Sequence, residues 1–280
     1  MTRRHAVIGF GRLAQVLVPA LRAAGDVVLL GRRAPGPGEF TPADAAAQAD
    51  WVWLTVPDDA IAATAAALPW RAGQLALHCS GATPLAALAP APAAAGFHPL
   101  KLLAGDAQTA LAGAHVGIEA DPLHRPVLGA LARALGLQPL QLPSPMSSQA
   151  RAAYHAAANL AASGVLAVLA EAAALWASAG LAREDALPAL LPLTRGTLDT
   201  AAARGLAGAV SGPLARGDVG VVERHLQALA AAGLDADLLR ALGWRQLALA
   251  QAAGRLDVAQ ITALRALLGG VEDGVALGVT

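Results

Sequence analysis

Two glycines separate an apolar run from a helical pattern in residues 7–14, VIGFGRLA. At a strand–turn–helix corner of this kind, Gly9 suits the tight turn, Gly11 lets the backbone approach a pyrophosphate, and Ala14 permits close helix–sheet packing. The helix then presents free N–H groups and its positive dipole end to the phosphates. A glycine corner without a ligand has the same local pattern, but a second strand expected near residue 27 favours a dinucleotide site. The residues predicted to bind the dinucleotide at this turn are Gly9, Phe10, Gly11, Arg12, Leu13 and Ala14.

Two arginines, Arg32 and Arg33, follow the second expected strand. An NAD-binding protein normally carries an acid at this place, which binds the ribose hydroxyls. Arginine side chains bind a 2′-phosphate instead, so the pair favours NADP, and NAD is the less favoured cofactor. The alternative is two solvated arginines after a strand.

Ser80 and His98 end or follow two further expected strands. Ligands of open α/β sheets bind outside the carboxyl ends of the strands, so both side chains are candidates for catalysis. A neutral imidazole can accept a hydroxyl proton while hydride leaves, and the serine can orient that hydroxyl. The alternatives are a histidine that fixes the bend before Pro99 and a serine that only shapes a turn. His78 is expected to point the other way along its strand.

His155 and Asn159 are four residues apart and therefore share one face of an expected helix. They are a second pair of candidate catalytic side chains, and the alternative is a buried polar pair bonded to each other. Lys101, the chain's only lysine, and Arg216, in the loop SGPLARGD, are candidate contacts for an anionic substrate or exposed charges. Asp218 is expected to cap the helix that follows this loop.

Short β-like runs alternate with helical patterns through the first half of the chain. This alternation predicts an α/β fold with a mostly parallel sheet that helices cover on both faces. Thr41, followed by proline and an acid, predicts a helix start. The expected strands span residues 5–10, 26–31, 51–56, 74–79, 95–98, 115–120 and 137–142.

The pattern becomes helical after the segment Pro-Ser-Pro at residues 143–145. We therefore predict a dinucleotide-binding domain over residues 1–143 and an all-α domain over residues 144–280. The helix expected over residues 147–179 is apolar on nearly all faces, which predicts a homodimer assembled through the helical half. Its most apolar part, residues 156–170, is shorter than a bilayer requires, so we expect a buried helix and no membrane contact.

Composition narrows the function classes further. Hydrophobic residues make up 56% of the 280 residues and charged residues 14%, which excludes a disordered chain. The net charge is zero and the basic residues form no cluster, so we expect no nucleic-acid partner. Cys79 is the only cysteine, so an intrachain disulfide is excluded and a reducing cytoplasm is expected. The sequence has no spacing typical of metal ligands, so we expect no metal site.

VIGFGRLA, GRR and WVWLTVPDDAI together resemble the 6-phosphogluconate dehydrogenase-like superfamily, which has a Rossmann-type dinucleotide domain. This group includes β-hydroxyacid dehydrogenases, pyrroline-carboxylate reductases and prephenate dehydrogenases. Residues 55–59, TVPDD, are similar to a strand end whose following loop borders the nicotinamide ribose in that group. The resemblance therefore implies that Val56 and Pro57 contact the cofactor.

A closer resemblance is to Rossmann-like proteins with a C-terminal domain of unknown function. It rests on HCSGA at 78–82, FHPL at 97–100, YHAAA at 154–158 and SGPLARGD at 211–218, and so spans nearly the whole chain. Ser80 and His98 are similar in arrangement to the serine and histidine of prephenate dehydrogenases. His155 stands where β-hydroxyacid dehydrogenases have a catalytic lysine, four residues before an asparagine, and this departure puts a direct transfer of their mechanism in doubt.

The sequence thus predicts an NADP-dependent oxidoreductase that transfers a hydride to or from a small polar oxo, hydroxy or imino acid. The substrate is expected in a cleft between the two domains. The alternative is a dinucleotide-binding sensor without turnover, which needs the same glycine turn but no convergence of His98, Ser80, His155 and Asn159.

Overall fold

The computed structural model describes residues 2–103 and 111–269 of the chain. Within them, all seven strands expected from the sequence are present and form one sheet. The strands are β1 (Arg4–Ile8), β2 (Val27–Gly31), β3 (Trp51–Leu54), β4 (Leu75–His78), β5 (Ala93–Pro99), β6 (His115–Glu119) and β7 (Gln138–Gln141).

The spatial order of the strands is β2-β1-β3-β4-β5-β6-β7. Neighbouring strands run parallel except β5 and β6, so the prediction of a mostly parallel sheet is confirmed. The carboxyl ends of β1, β3, β4 and β5 consequently lie along one edge. The register places a single row of residues side by side there: Gly31, Ile8, Leu54, His78, Gly96 and Glu119.

Apolar side chains cover both faces of the sheet, because successive residues of a strand point to opposite faces. Val7, Trp53 and Phe97 belong to the buried cluster on one face, whereas Ile8 and Leu54 belong to the cluster on the other. The helices between and after these strands, up to residue 159, are α1 (Arg12–Ala23), α2 (Pro42–Ala47), α3 (Ile61–Ala66), α4 (Arg125–Ala134) and α5 (Ser148–Asn159). The predicted α/β class with helices on both faces is confirmed.

A buried polar chain fixes the start of the sheet. The indole Nε1 of Trp53 donates a hydrogen bond to His5 Nδ1 (2.9 Å), and His5 Nε2 lies 3.0 Å from a carboxylate oxygen of Asp26. Because Nδ1 accepts, the ring proton is on Nε2 and is donated to Asp26. Burial lowers the pKa of His5, so the ring is neutral at pH 7. These two hydrogen bonds connect β1 to β3 and to the turn between α1 and β2.

Hydroxyl side chains cap the starts of two helices, α2 and α5, the first of them as predicted. The Thr41 hydroxyl accepts a hydrogen bond from the Asp44 N–H at the start of α2, and Ser147 does the same for Ala150 at the start of α5. The chain divides into two compact units, one from residue 1 to Gly164 and one from Val165 onward. The first unit thus continues past the sequence-based boundary at 143/144 and includes α5.

The second unit is helical over its described part, as predicted. Its small core is formed by Leu214, Val222, Leu247, Leu264 and Leu268. The helices are α6 (Val165–Ser178), α7 (Arg183–Ala209), α8 (Pro213–Arg216), α9 (Val219–Ala231), α10 (Asp237–Ala252) and α11 (Val258–Leu268).

The expectation of a buried helix over residues 156–170 is wrong. This segment lies in a helical run, Ser148–Ser178, of which only 6% of the apolar window is buried. Leu160 and Leu166 are exposed by 70% and 63%. Within the described ranges this run alone is long and apolar enough to cross a membrane, by length and composition.

Candidate functional site

The glycine turn after β1 is fixed by close contact with the end of β3. Gly9 has a φ of +95°, and a Cβ atom added to it would lie 2.9 Å from the carbonyl oxygen of Thr55. The Thr55 hydroxyl donates to the carbonyl oxygens of Ile8 (3.0 Å) and Gly9 (3.1 Å). Glycine is therefore required at this position both by the backbone conformation and by the space available.

The start of α1 has the features that an anion site requires. Gly11 caps the helix without a side-chain hydrogen bond, and the first turn contains no acidic residue. Gly11 and Arg12 are exposed, Leu13 is half-buried, and Ala14 is fully buried against the sheet. The residues present thus fit a dinucleotide pyrophosphate, which would bind the free N–H groups of this turn.

The loop after β3 borders this turn, as the resemblance implies. A Val56 methyl carbon would lie 3.1 Å from a Cβ atom added to Gly9. Pro57 is exposed and precedes a short 3₁₀ turn, Asp58–Ala60. Val56 therefore flanks the glycine turn, and Pro57 follows Val56 directly in the chain.

Arg32 lies against the glycine turn, with its guanidinium carbon 5.5 Å from the centroid of the Phe10 ring. Its Nη1 donates to the carboxylate of Glu39 (3.2 Å), an acid that the sequence-based reasoning did not consider. Arg33 is exposed. The two arginines thus follow β2 as predicted, but one of them is paired with an acid of the same loop.

The Ser80 hydroxyl makes three hydrogen bonds. It donates to a carboxylate oxygen of Asp58 (2.7 Å) and accepts from the N–H groups of Ala82 (3.1 Å) and Thr83 (3.0 Å). These bonds shape the turn after β4 and tie it to the loop after β3. Ser80 thus has the contacts of a turn residue, the alternative that the sequence left open.

His98 lies at the end of β5 and is bonded to α5. Its Nδ1 is 2.9 Å from the Tyr154 hydroxyl, and the two rings meet edge to face at 5.6 Å. Burial lowers the pKa of His98, and the nearby His155 lowers it further. Burial also raises the pKa of Tyr154, so its hydroxyl stays protonated at neutral pH.

His98 and His155 approach each other at Gly81. A Cβ atom added to Gly81 would lie 2.7 Å from His98 Cε1 and 3.2 Å from His155 Cδ2. The sequence presents these two histidines as competing acid–base candidates from different domains. Within the first unit both rings lie close to one glycine, so a single reacting group could reach both.

A cavity of about 480 Å³ opens beside His155. His155 and Asn159 both line it and are exposed, and no hydrogen bond joins these two described side chains. The alternative of a buried, mutually bonded pair is therefore wrong. The remaining lining residues are Ala82, Pro84, Ser148, Arg151, Ala152 and Ala156.

A buried ion pair that the sequence-based reasoning missed joins α5 to the sheet. Arg151 Nη2 donates to a carboxylate oxygen of Glu119 at 2.6 Å, with side chains exposed by only 7% and 2%. The other carboxylate oxygen accepts from the N–H of Met146 at 2.9 Å. An acid at the end of an otherwise apolar strand, HVGIE, was the available signal, since a buried carboxylate requires a cation.

The prediction that His78 points away from the site is wrong. His78 lines a small cavity of about 10 Å³ together with Ser80, His98, Arg151 and Tyr154. It has this space because its neighbour in the sheet, Gly96, has no side chain. Burial, and next the charge of Arg151, lower its pKa to about 4.

The two predicted substrate contacts, Lys101 and Arg216, belong to different units. Lys101 is exposed just after β5. Arg216 lies in the second unit, where its Nε donates to Asp218 at 2.9 Å. Asp218 stands at the start of α9 but makes no capping bond with its side chain, contrary to its predicted role. In residues 2–103 and 111–269, no group of three or more potential ligands is arranged to bind a metal.

Residues 114–246 match DUF2520, a domain of unknown function. The match confirms the predicted resemblance to Rossmann-like proteins with such a domain. It begins in front of β6 and therefore includes Glu119 of the sheet as well as α5. No curated protein matches the chain.

Solved structures with the same fold include oxidoreductases. A protein from Thermotoga maritima is 20% identical, with 90% of this chain and 100% of that chain covered and a TM-score of 0.71. A reductive aminase from Aspergillus terreus, in complex with NADPH and ethyl levulinate, is 17% identical (94% and 99% covered, TM-score 0.62). An NADH-preferring ketol-acid reductoisomerase from an uncultured archaeon is 15% identical (94% and 93% covered, TM-score 0.61). These similarities confirm the predicted Rossmann-type fold.

The lowered pKa of His78 predicts a loss of stability in acid. In the unfolded chain the imidazole binds a proton with the ordinary histidine pKa of 6.5, whereas in the folded chain it binds one only near pH 4. The contribution is therefore complete above pH 6.5 and is lost between pH 6.5 and 4, by about 3 kcal/mol. Urea unfolding of the wild type and of His78→Leu, compared from pH 7 to pH 4, should show this change in the difference between the two. A difference that is constant with pH would contradict the burial of a neutral His78.

Proposed function

We propose that this chain is an NADP-dependent oxidoreductase that transfers a hydride to or from a small polar oxo, hydroxy or imino compound. The proposal rests on one observation: the cofactor-binding turn and the candidate acid–base groups lie at the same edge of the sheet. The glycine turn lies at the end of β1, and the paired His98 and Tyr154 lie at the end of β5, with His155 beside them. A dinucleotide sensor, the alternative function, has no need of these three convergent groups.

The chain's own residues supply the binding of the cofactor. The N–H groups of residues 11–14 would hold the pyrophosphate, and Val56 and Pro57 would border the nicotinamide ribose. Arg32 and Arg33 would bind the 2′-phosphate, which supports NADP over NAD. When bound, the reduced nicotinamide supplies the hydride.

His98 is proposed to move the proton. Its lowered pKa makes it neutral at pH 7, and a neutral imidazole has one donor and one acceptor nitrogen. When His98 Nδ1–H donates to the Tyr154 hydroxyl, Nε2 is unprotonated and can take the proton of a substrate hydroxyl as hydride leaves; the imidazolium so formed can return this proton when the reaction runs in reverse. His155 and Asn159 face the adjoining cavity and are proposed to bind the substrate there. Ser80 is proposed to hold the loop, through Asp58, rather than to react.

We also propose that the chain forms a homodimer through its second unit. Leucines along α7 are strongly exposed, among them Leu193 (68%) and Leu206 (62%). Exposed leucines of this kind are apolar surface that a contact between two copies of the chain would bury. The same helix carries three arginines and three acids, a neutral mixture that suits a second copy of the chain rather than lipid. Lys101 and Arg216 remain proposed contacts for an anionic substrate.

The first prediction is a preference for NADPH over NADH. Replacing both Arg32 and Arg33 by alanine should weaken NADPH binding by about 1–3 kcal/mol, the scale of charge-assisted hydrogen bonds, and should leave NADH binding nearly unchanged. Calorimetric titration of both cofactors measures this, with Arg224→Ala as a control for the loss of positive charge. Equal affinities of the wild type for the two cofactors would contradict the proposal.

The next prediction assigns the proton. His98→Asn should lower turnover by about 10²- to 10⁴-fold and change NADPH affinity by no more than a few-fold, because the phosphates bind at β1. Tyr154→Phe removes the hydrogen bond to Nδ1 and should shift the pH profile of turnover. The assay follows NADPH oxidation with 2-oxo, 3-oxo and imino acids, and His225→Asn is the control. Normal turnover in His98→Asn with none in His155→Asn would give the acid–base role to His155.

The dimer predicts a mass twice that of the chain in light scattering at micromolar concentration. Leu193→Arg should convert the dimer to a monomer, because it places a charge in the apolar contact. Val258→Arg changes a residue on α11 that is exposed by 80%, and it should leave the dimer intact. A monomeric wild type, or one that binds lipid vesicles, would contradict this assembly.

A further inference from the structure

The loop that connects β2 to α2 is fastened to the sheet at both ends. The Arg32 N–H donates to the carbonyl oxygen of Phe40 (2.9 Å), and the Phe40 N–H donates to that of Leu30 (2.8 Å). Phe40 forms a bridge with Gly31, the last residue of β2. Glu39 is therefore held directly beside the end of β2, where the 2′-phosphate is proposed to bind.

The Glu39 carboxylate occupies two donors of this loop. One oxygen accepts from Arg32 Nη1 at 3.2 Å, and the other accepts from the Gly36 N–H at 2.8 Å. A guanidinium and a backbone N–H beside a second arginine, Arg33, are the donors that a phosphate group prefers. The side chains of Arg32 and Glu39 are exposed by 43% and 20%, so a ligand can reach the pair and separate it.

We propose that Glu39 is an internal competitor for the 2′-phosphate and thereby sets the strength of the NADP preference. The inference rests on the proposed function, since it concerns the same cofactor. The carboxylate and the phosphate need the same donors, and both are negative, so they cannot occupy them together. Glu39 must therefore leave Arg32 when the 2′-phosphate binds, and the separation of this pair lowers the affinity for NADPH.

The binding of NADH does not require Glu39 to leave Arg32. The ribose of NADH has a neutral hydroxyl in place of the phosphate, so the pair of Arg32 and Glu39 can persist when NADH binds. The acid thus reduces the discrimination that the two arginines alone would give. Removal of its charge is expected to favour the phosphorylated cofactor selectively.

The test is Glu39→Gln, which keeps the shape of the side chain and removes its charge. We expect NADPH and 2′,5′-ADP to bind about 3- to 5-fold more tightly to this variant at low ionic strength, the upper range for an exposed ion pair. NADH and 5′-AMP, which lack the 2′-phosphate, should bind with unchanged affinity. Calorimetric titration of the full chain with the four ligands measures the dissociation constants without a turnover assay.

Two controls separate a local competitor from a general change in charge. In the Arg32→Ala background, Glu39→Gln should improve NADPH binding by less than about 2-fold, because the contested donor is gone. Glu223→Gln, which removes one negative charge from α9, should have no effect. An equal gain in the Arg32→Ala background, or an equal gain for NADH, would overturn the inference.

The outcomes also distinguish this inference from the proposed function. If the wild type prefers NADPH but Glu39→Gln binds it no more tightly, the inference that Glu39 competes with the 2′-phosphate is wrong. The oxidoreductase proposal then stands. If the wild type binds neither NADPH nor NADH, both are wrong.

Discussion

The buried ion pair between Glu119 and Arg151 determines the geometry of the candidate site. Tyr154 and His155 follow Arg151 by three and four residues and therefore lie on the same side of α5. Once Arg151 is fixed on β6, the helix can take only one rotation and one height above the sheet. The loss of one partner from a buried pair of this kind typically costs about 3–5 kcal/mol, because the other charge is left unpaired. The contact of Tyr154 with His98 thus depends on a bond formed one helical turn away.

Space for these side chains comes from glycines in the neighbouring strands and turns. His78 and Glu119 lie on either side of Gly96 in one row of the sheet, where a side chain would fill the space between them. Gly117 lies opposite His98, and a Cβ atom added to it would collide with the Tyr154 hydroxyl. The polar groups of the site are therefore close together because the backbone around them carries no side chains. This arrangement also explains how a histidine and an ion pair fit into an otherwise apolar sheet.

Much of the fold follows from local patterns in the sequence, whereas the site follows only in part. The seven strands and the glycine turn have short-range signals, namely apolar runs and a glycine spacing, and the structure contains all of them. The pairing of Glu119 with Arg151 spans 32 residues and depends on how a helix packs on a strand, which periodicity does not specify. The orientation of His78 is not predictable in the same way, because the alternation of a strand gives its face but not the free space that Gly96 creates. The role of Glu39 is equally hidden, because a loop with two prolines and two glycines has no pattern that predicts its pairing with Arg32.

The match to DUF2520 begins at residue 114 and so crosses the apparent change from sheet to helices. A cut of the chain at 143/144, where the composition changes, would leave Glu119 on one fragment and Arg151 on the other. The first fragment would keep a carboxylate inside its sheet with no cation, and the second would begin with an uncovered helix. Neither half is then expected to be a self-sufficient folding unit. The compact unit that contains the sheet therefore also contains α5, and the helix completes that unit through the Glu119–Arg151 pair.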